Sequence, residues 1–458
     1  MISYKGYDEV IRNVLDHGQG HVFAYWDELG DDEKVNLLED LKSVDLTLMK
    51  SLFDGIRSEE PGDFGPAPFI AVPSTGEEKA RYDEARSAGV GHIREGKVAA
   101  FVVAGGQGSR LGFEGPKGKF PVGPVSDRTL FQIHGEKIAK YSEKYNTVIP
   151  WLVMTSKGNH EETAVYFREN SYFGINEKDV FIFPQNMIPS LDTGGNLVME
   201  SKSSLFKNPD GHGGSLTALN SSGVLDEMIK RGIETISYFQ VDNPLVKIVD
   251  PAFIGFHVLR GAEISSKALK KAYPEEKVGV FVTFTGGRIG VVEYSDLSSD
   301  KAHEKDGAGN LVYTAGSIAI HLFDARFVKR ITGGADISLP FHTAKKKLAV
   351  IEKGKQTSVD GYKFEKFVFD ALPLTDKNVV FETIREEEFA PVKNATGVDS
   401  LETSQSLMME LHRRWLRERG ISVPDAVQKL EISPLLAVEP GDLDSSLVVP
   451  GEEKVYLK

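Results

Sequence analysis

Glycines and basic side chains concentrate in one loop in the first third of the chain. The stretch VAAFVVAGGQGSRLGFEGPKGKFPV begins at Val98, and its apolar run ends at Gly105 and Gly106. Arg110 and Lys117 follow within the same loop. Glycines allow a ligand to approach backbone N–H groups closely, and cations neutralise phosphate charge. The combination predicts a loop that binds a chain of phosphates.

Two common phosphate-binding motifs do not fit this loop. A dinucleotide-binding G-x-G-x-x-G motif that starts at Gly106 needs glycine where the chain has Leu111. A G-x-x-x-x-G-K-[ST] motif that ends after Gly118-Lys119 needs a glycine at 113 and a hydroxyl at 120, and both positions are phenylalanine. The loop therefore supports neither a Rossmann dehydrogenase nor a P-loop NTPase.

The elements that must position this loop predict an α/β fold. The run 98–104 is short, partly β-branched and apolar throughout, which is typical of a strand buried on both faces of a sheet. Strands and helices then alternate to about residue 260, which predicts a mostly parallel sheet with helices on both faces. The predicted strands are 98–104, 149–154, 180–183, 234–241 and 313–322, with a hairpin over 279–294 and helices at 129–144, 160–169 and 403–418.

One edge of this sheet is the expected ligand site. Parallel α/β sheets bind ligands beyond the carboxyl ends of their strands. The loop 105–118, Gln185 and Asp242 each follow a predicted strand directly, so we expect them at a common edge. A carboxylate at that edge suits Mg²⁺, whose other ligands would be phosphate and water. A cap or turn role for Asp242 is the alternative.

Both ends of the chain predict smaller parts around this core. Residues 1–60 are predicted to be helical, with one apolar stripe between 37 and 52 and with Asp31 and Asp32 as caps. Four prolines and three glycines in 60–78 predict a surface connector without regular structure. The predicted domains are a helical segment with connector (1–95), a catalytic domain (96–390) and a small β-rich C-terminal module (391–458).

Composition narrows the class of function. The chain has 458 residues, too many for one ordinary core. Its 54 basic and 67 acidic residues give a net charge of −13, which argues against a nucleic-acid partner. The absence of cysteine excludes disulfides, thiol catalysis and Cys-ligated zinc. Without an apolar signal core or a long apolar stretch, we expect a cytoplasmic protein and no membrane partner.

The loop and the segments after it resemble one enzyme family. The pattern G-G-x-G-[ST]-R-L-G followed by P-K-G is similar to the signature of nucleoside-diphosphate-sugar pyrophosphorylases of the eukaryote-type UDP-sugar family. Nine further segments follow in the order seen in UDP-N-acetylhexosamine pyrophosphorylases: TLFQIHGEKI, MTSKGNHEET, FIFPQNMIPSLD, PDGHGG, QVDNPLVKIVDPAFIGF, EKVGVF, GVVEYS, KFEKFVFD and REEEFAPVKNA. The resemblance implies a Rossmann-like nucleotidyltransferase core with a mostly parallel or mixed sheet.

The resemblance also implies the reaction. UTP and a sugar 1-phosphate would give UDP-sugar and pyrophosphate, by in-line attack on the α-phosphorus without a covalent enzyme intermediate. Catalysis of this kind rests on positioning and charge neutralisation. Arg110 and Lys117 would act on the departing phosphates, Lys393 would contact the sugar phosphate, and Asp242 would bind the cofactor Mg²⁺.

Other positions match the family's binding residues. The corresponding positions on the nucleotide side are Gly105, Gly106, Gln185, Gly211 and His212, the last of which differs from the family in residue type. The matches on the sugar side are Gly279, Glu293, Ser317, Phe367 and Phe369. Ordinary core packing is the alternative role for the two phenylalanines.

Two departures from the family pattern fall at the sugar site. His212 stands where the hexosamine enzymes have asparagine, and the G-H-G turn is similar to that of UDP-glucose pyrophosphorylases. Ser317 also replaces an asparagine, so an amide that could hold an N-acetyl or hydroxyl group is lost. N-acetylglucosamine 1-phosphate is the expected acceptor, and N-acetylgalactosamine, glucose or galactose 1-phosphate are the alternatives, as for a UTP–glucose-1-phosphate or broad-range uridylyltransferase.

A non-catalytic sugar-nucleotide-binding protein on the same fold is the alternative outside enzymes. Such a protein is expected to lose its phosphate-handling residues, yet Arg110, Lys117, Asp242 and Lys393 are all present. The sequence therefore favours an enzyme.

Overall fold

The structure is a computed structural model, and it describes residues 2–56, 62–334, 339–352 and 355–458. The helices are α1 (Asp8–Asp16), α2 (Asp31–Lys42), α3 (Leu46–Asp54), α4 (Gly76–Arg94), α5 (Leu130–Tyr145), α6 (His160–Glu169), α7 (Gly214–Ser221), α8 (Val224–Lys230), α9 (Pro251–Leu259), α10 (Ser299–His303), α11 (Ala325–Thr332), α12 (Arg385–Glu388) and α13 (Leu401–Glu418). The strands are β1 (Phe64–Pro66), β2 (Val98–Val103), β3 (Trp151–Thr155), β4 (Val180–Pro184), β5 (Met187–Pro189), β6 (Leu191–Asp192), β7 (Met199–Ser201), β8 (Ser204–Leu205), β9 (Lys207–Pro209), β10 (Thr235–Gln240), β11 (Ile264–Lys270), β12 (Val280–Phe284), β13 (Ile289–Val292), β14 (Ala315–Asp324), β15 (His342–Glu352), β16 (Lys355–Glu365), β17 (Asn378–Glu382), β18 (Lys429–Ile432) and β19 (Lys454–Leu457).

Contacts divide the chain into two units. The larger unit comprises Pro61–Pro184, Leu216–Ser338 and Phe369–Lys458, and the smaller unit comprises Met1–Glu60, Gln185–Ser215 and Leu339–Val368. The division into domains at 1–95, 96–390 and 391–458 stays a prediction.

A mixed sheet organises the larger unit. Its strand order is β1-β12-β14-β10-β2-β3-β4, with β13 beside β12 and with β11 between β14 and β17. Strands β10, β2, β3 and β4 are parallel, so their carboxyl ends lie at one edge, and β14 is antiparallel to β10. The predicted α/β class and mostly parallel or mixed sheet are confirmed, as are the strands predicted from 98 to 322 and the hairpin over 279–294.

Helices cover this sheet at close range. Helix α5 starts where Thr129 Oγ1 accepts a hydrogen bond from the N–H of Gln132 (3.2 Å), and its apolar side enters the core with β2. Helices α4 and α9 approach so closely that a Cβ on Gly89 would overlap the carbonyl oxygen of Pro251. A glycine is therefore required at that position.

Among the described residues of the predicted connector at 60–78, strand β1 and the first residues of α4 have regular structure. Strand β1 pairs antiparallel with β12, and Phe64 lies opposite Phe284. The ring of Phe64 also contacts Tyr313 edge-on, with 5.8 Å between centroids. The prediction of a connector without regular structure was wrong here, because aromatic packing fixes a short strand among residues of low strand propensity.

The smaller unit has its own core. Residues of α1, α2 and α3 pack with β5 to β8 and with Phe364 of β16. Strands β15, β16 and β6 form an antiparallel sheet. The single helical stripe predicted between 37 and 52 lies on two helices, because Asp45 caps α3 by accepting from the N–H of Leu48 at 2.9 Å. Asp31 and Asp32 lie in the first turn of α2, and Gly30 occupies its N-cap.

The C-terminal part of the larger unit is tied to the segment that follows the glycine-rich loop. Strands β18 and β19 pair in parallel over a small apolar core. Glu431 is buried and accepts hydrogen bonds from the backbone N–H groups of Val125 (2.8 Å) and Ser126 (2.7 Å) and from the Ser126 hydroxyl (2.6 Å). Within the described ranges, no helix is long and apolar enough to cross a membrane.

Candidate active site

The glycine-rich loop is closed on itself at its base. The N–H of Gly108 donates to the carbonyl of Gly115 (3.0 Å), and the N–H of Lys117 donates to the carbonyl of Gly106 (3.0 Å). The buried amide of Asn159 donates to the carbonyl of Ala104 at 3.1 Å, which anchors the loop to the segment after β3. The loop is therefore held at both ends while its tip follows the edge of the sheet.

The start of the loop and Arg110 keep groups that a phosphate can use. Among the described residues, the N–H groups of Gly105, Gly106 and Gln107 donate to no backbone carbonyl. Arg110 is exposed and forms no hydrogen bond or ion pair with another described side chain. Backbone N–H groups and a guanidinium in one loop form a typical anion-binding arrangement.

Lys117 and Asp242 meet at this edge. Lys117 Nζ donates to Asp242 Oδ2 at 2.8 Å. Asp242 follows β10, and its position is set by the preceding residue: the N–H of Val241 donates to the carbonyl of Val103 (3.1 Å), and His134 Nε2 donates to the carbonyl of Val241 (2.9 Å). Burial lowers the pKa of His134 to about 3, so the ring is neutral and Nε2 carries its proton.

The segment that carries Lys393 runs beside Asp242. The N–H of Val392 donates to the carbonyl of Asp242 at 2.9 Å. The N–H of Lys393 donates to the carbonyl of Asp399 at 2.7 Å, and Lys393 Nζ lies 3.8 Å from Asp399 Oδ2. Burial raises the pKa of Asp399, with Lys393 opposing the shift and Asp242 adding to it. Arg110, Lys117, Asp242 and Lys393 thus all belong to one edge of the larger unit.

Three of the predicted sugar residues come together in the larger unit. The N–H of Ser317 donates to the carbonyl of Gly279 at 2.8 Å. A Cβ on Gly279 would lie 3.3 Å from Glu293 Oε1 and would press against Val291. Phe369 is buried in the 3₁₀ segment Val368–Leu374. The strands β12, β13 and β14 therefore group Gly279, Glu293 and Ser317 by their pairing.

The smaller unit holds the residues predicted to read the base. Gln185 follows β4 and is buried, and its Nε2 donates to Asp210 Oδ1 at 3.5 Å. This weak bond favours one orientation of the amide. Burial raises the pKa of Asp210 to about 6, and the charge of Lys366 opposes that shift.

The glycine turn at 211–213 packs against the backbone of 365–367. Gly211 has φ +82°, and a Cβ there would collide with the carbonyl of Lys366. His212 stacks on Phe367 with 5.3 Å between ring centroids, and Phe367 stacks on His342 at 4.4 Å. His212 Nδ1 accepts a hydrogen bond from the N–H of Val368 at 3.2 Å. Burial lowers the pKa of His212 to about 4 with a smaller effect from His342, so the neutral ring carries its proton on Nε2.

Asp242 is the candidate protein ligand for a magnesium ion. The described residues contain no group of three or more His, Cys, Asp or Glu side chains suited to a metal. Mg²⁺ does not need such a group, because it keeps water ligands and takes others from substrate phosphates. Asp242 lies partly exposed beside the phosphate loop, which fits a single protein ligand of this kind.

A protein-family model described as UTP–glucose-1-phosphate uridylyltransferase (UDPGP) matches residues 76–441. The chain belongs to the UDPGP family. It is 36% identical to UDP-N-acetylglucosamine diphosphorylase 2 of Arabidopsis thaliana, over 95% of this chain and 91% of that protein. It is 33% identical to UDP-N-acetylglucosamine pyrophosphorylase of Saccharomyces cerevisiae, over 92% of this chain and 94% of that protein.

A solved structure agrees with the family assignment. The uridine diphosphate N-acetylglucosamine pyrophosphorylase of Trypanosoma brucei superposes with a TM-score of 0.82 at 29% identity, covering 96% of this chain and 95% of that one. The resemblance inferred from the sequence is confirmed, and this UDPGP chain is an enzyme of the UDP-sugar uridylyltransferase family.

Several polar residues of this UDPGP chain were not predicted for the site. Asn159 and Asp210 lie inside quoted family segments, so they could have been considered as anchors of the loop and of Gln185. Asp399 gives a weaker signal, because it lies in an irregular loop that returns to Lys393 and has no regular element to mark it.

Proposed function

We propose that the chain transfers the uridylyl group of UTP to N-acetylglucosamine 1-phosphate, which yields UDP-N-acetylglucosamine and pyrophosphate. The observation that carries the proposal is the contact of Lys117 with Asp242 beside a glycine-rich loop with open N–H groups. A cation from the loop after β2 and a carboxylate directly after the adjacent parallel strand β10 suit the binding of a triphosphate and its metal ion. The relatives in Arabidopsis thaliana and Saccharomyces cerevisiae, which bear N-acetylglucosamine names, support this acceptor.

The proposed catalytic residues act on different parts of the two substrates. Lys393 would hold the phosphate of the sugar so that one of its oxygens forms a bond to the α-phosphorus. The bond from that phosphorus to the bridging oxygen breaks, and its electron pair leaves with pyrophosphate. Arg110 and Lys117 would stabilise the charge that builds on the leaving group, because positioned cations act most strongly where charge develops. A magnesium ion on Asp242 would add Lewis-acid neutralisation of the phosphates.

Binding of the nucleoside and of the sugar rests on other residues. The uridine contacts are proposed from the family positions alone, and they are Gly105, Gly106, Gln185, Gly211 and His212. The sugar contacts are proposed on the same ground, and they are Gly279, Glu293, Ser317, Phe367 and Phe369.

The test is an assay of pyrophosphate release with UTP, Mg²⁺ and each of four sugar 1-phosphates: N-acetylglucosamine, N-acetylgalactosamine, glucose and galactose. We expect the highest kcat/KM with N-acetylglucosamine 1-phosphate. No release with any of the four would refute uridylyl transfer. A preference for glucose 1-phosphate over both N-acetylated sugars would refute the acceptor and leave the reaction class intact.

Glucose 1-phosphate is the second candidate acceptor, because Ser317 lacks the amide that the N-acetylhexosamine pattern has at this position. The backbone of Ser317 is already fixed by its bond to Gly279. The variant Ser317→Asn therefore adds an amide without moving the strand. If that amide serves the N-acetyl group, the ratio of kcat/KM for N-acetylglucosamine 1-phosphate over glucose 1-phosphate should rise about tenfold, the worth of one hydrogen bond. An unchanged ratio would place sugar selection elsewhere.

A further inference from the structure

We propose that Asn243 is a positioning residue that fixes Lys393 beside Asp242, an inference that rests on the proposed function. Lys393 and Asp242 lie far apart in sequence, and they are proposed to contact the sugar phosphate and the metal ion, respectively. Their distance decides whether the attacking oxygen meets the α-phosphorus. Asn243 is placed to set that distance, although it does not itself belong to the proposed substrate contacts.

The side chain of Asn243 bridges the two segments. It is 4% exposed, and its Nδ2 donates to the carbonyl of Glu388 at 2.7 Å. Its Oδ1 accepts from the N–H of Ala390 at 3.0 Å. A backbone hydrogen bond adds to these two, because the N–H of Val392 donates to the carbonyl of Asp242. Three successive bonds thus join 242–243 to 388–392, and Lys393 is the next residue.

The far side of this bridge is itself immobilised. Glu388 is fully buried and accepts two bonds from Lys267 Nζ (2.5 and 2.7 Å) and one from Thr383 Oγ1 (2.7 Å). Lys267 is also fully buried, lies on β11 and pairs with Asp250 at 2.7 Å. Asn243 therefore connects the end of β10 to a buried ion cluster whose members cannot shift without separating charges.

Only an amide satisfies both ends of the bridge. The carbonyl of Glu388 needs a donor and the N–H of Ala390 needs an acceptor, and one planar amide supplies both. Aspartate has the same size but offers acceptors only, so it would face the carbonyl of Glu388 with a negative charge next to Asp242. Alanine would remove both bonds and leave buried polar groups without partners.

The decisive measurement is a double-mutant cycle between Asn243→Ala and Lys393→Ala, assayed by pyrophosphate release. We expect Asn243→Ala to lower kcat/KM for the sugar 1-phosphate 10- to 100-fold and to raise KM for the sugar 1-phosphate more than KM for UTP. In the Lys393→Ala background the same change should cost less than threefold, because the lysine that it positions is gone. An undiminished loss in that background would overturn the proposal.

Asn378→Ala is the matched control. Asn378 Nδ2 also donates to two backbone carbonyls, those of Leu372 (3.1 Å) and Thr375 (2.7 Å), at the start of β17. Its loss should leave both KM values within twofold. An effect equal to that of Asn243→Ala would show a general effect on stability and would overturn the positioning role. If Asn243→Ala does not fold, Asn243→Ser, which is polar and uncharged, takes its place in the cycle.

Amide hydrogen exchange separates this proposal from the proposed function. Asn243→Ala should increase exchange at the peptide that contains Ala390 and Val392, and Asn378→Ala should not. This readout needs no catalysis. If the wild-type chain released no pyrophosphate, the proposed function would be refuted, and hydrogen exchange could still test the hydrogen bonds of Asn243. If the wild type were active but Asn243→Ala left the exchange unchanged, only the positioning role of Asn243 would be refuted.

Discussion

Replacing Lys117 by methionine tests the assignment of the leaving-group cation. Lys117 Nζ lies 2.8 Å from Asp242 Oδ2, and the two side chains are 15% and 14% exposed. An ion pair that water still reaches contributes only about 1 kcal/mol to folding, so the variant should remain folded. A preorganised group aimed at developing charge is worth roughly 10²- to 10³-fold in kcat. We expect a loss of that size in pyrophosphate release.

The affinity for UDP-sugar should fall much less in the same variant. UDP-sugar lacks the pyrophosphate on which Lys117 is proposed to act, so calorimetry with UDP-N-acetylglucosamine should show a change of less than about tenfold. A kcat that falls by less than tenfold, or an equal loss in kcat and in UDP-sugar affinity, would make the lysine a binding group and refute this role.

Lys119 provides a matched control in the same loop. It is two residues away and also forms an ion pair, 2.7 Å from Glu162, with its Nζ 5.3 Å from the centroid of the Tyr166 ring. Lys119→Met removes the same charge from the same loop but leaves Asp242 paired. We expect kcat within threefold of wild type. A loss as large as that of Lys117→Met would mean that the net charge of the loop matters and the position of Lys117 does not.

Three further predictions concern stability and are measured by urea unfolding. Gly89→Ala should destabilise the fold by about 3 kcal/mol or more because its Cβ would meet the backbone of α9. A Cβ at Gly91 on the same helix meets nothing within 4 Å, so Gly91→Ala should stabilise the fold by about 0.5–1 kcal/mol, and equal effects of the two variants would contradict the close packing. Burial is the largest single influence on Asp250 and opposes its ionisation, but Lys267, Lys247 and the hydrogen bonds to the carboxylate together outweigh burial and lower the pKa of Asp250 to about 2, below the usual 3.9 or so. The stabilisation from this carboxylate, on the order of 2 kcal/mol, should be complete above about pH 4 and disappear as the pH falls towards 2, and a constant difference between wild type and Asp250→Asn across that range would contradict it. Glu431→Gln should lower the free energy of unfolding by about 1–3 kcal/mol, because Glu431 accepts three hydrogen bonds and the neutral amide replaces one accepting oxygen by an N–H group. An unchanged free energy of unfolding would contradict the role of the carboxylate charge.

The parts of the fold that are predictable from sequence are those whose signal is local. The buried strand β2 shows as a continuous apolar run, and the loop after it shows as glycines and cations. Asp242 was placed at the same edge as the loop because parallel strands share the direction of their carboxyl ends, and its contact with Lys117 agrees with that placement. These features follow from residues that are neighbours in the sequence and from a rule of sheet topology.

The parts that were missed depend on distant residues. Strand β1 has no strand-like composition, and it exists because Phe64 packs on residues more than two hundred positions away. The strands β5 to β9 are only two or three residues long, so no periodicity marks them, and they pair inside a unit assembled from three separate segments.

The residues proposed for the phosphates and those proposed for the sugar differ in how the backbone holds them. Lys117, Asp242 and Lys393 lie on loops that backbone hydrogen bonds fix, so a change beside them should displace the groups proposed to act on the phosphates. Ser317 and Gly279 are held to each other by a backbone bond between strands, which any side chain at 317 leaves in place. The side chain at 317 can therefore change while the strand pairing stays, and we expect a substitution there to alter the preference for the sugar without loss of uridylyl transfer.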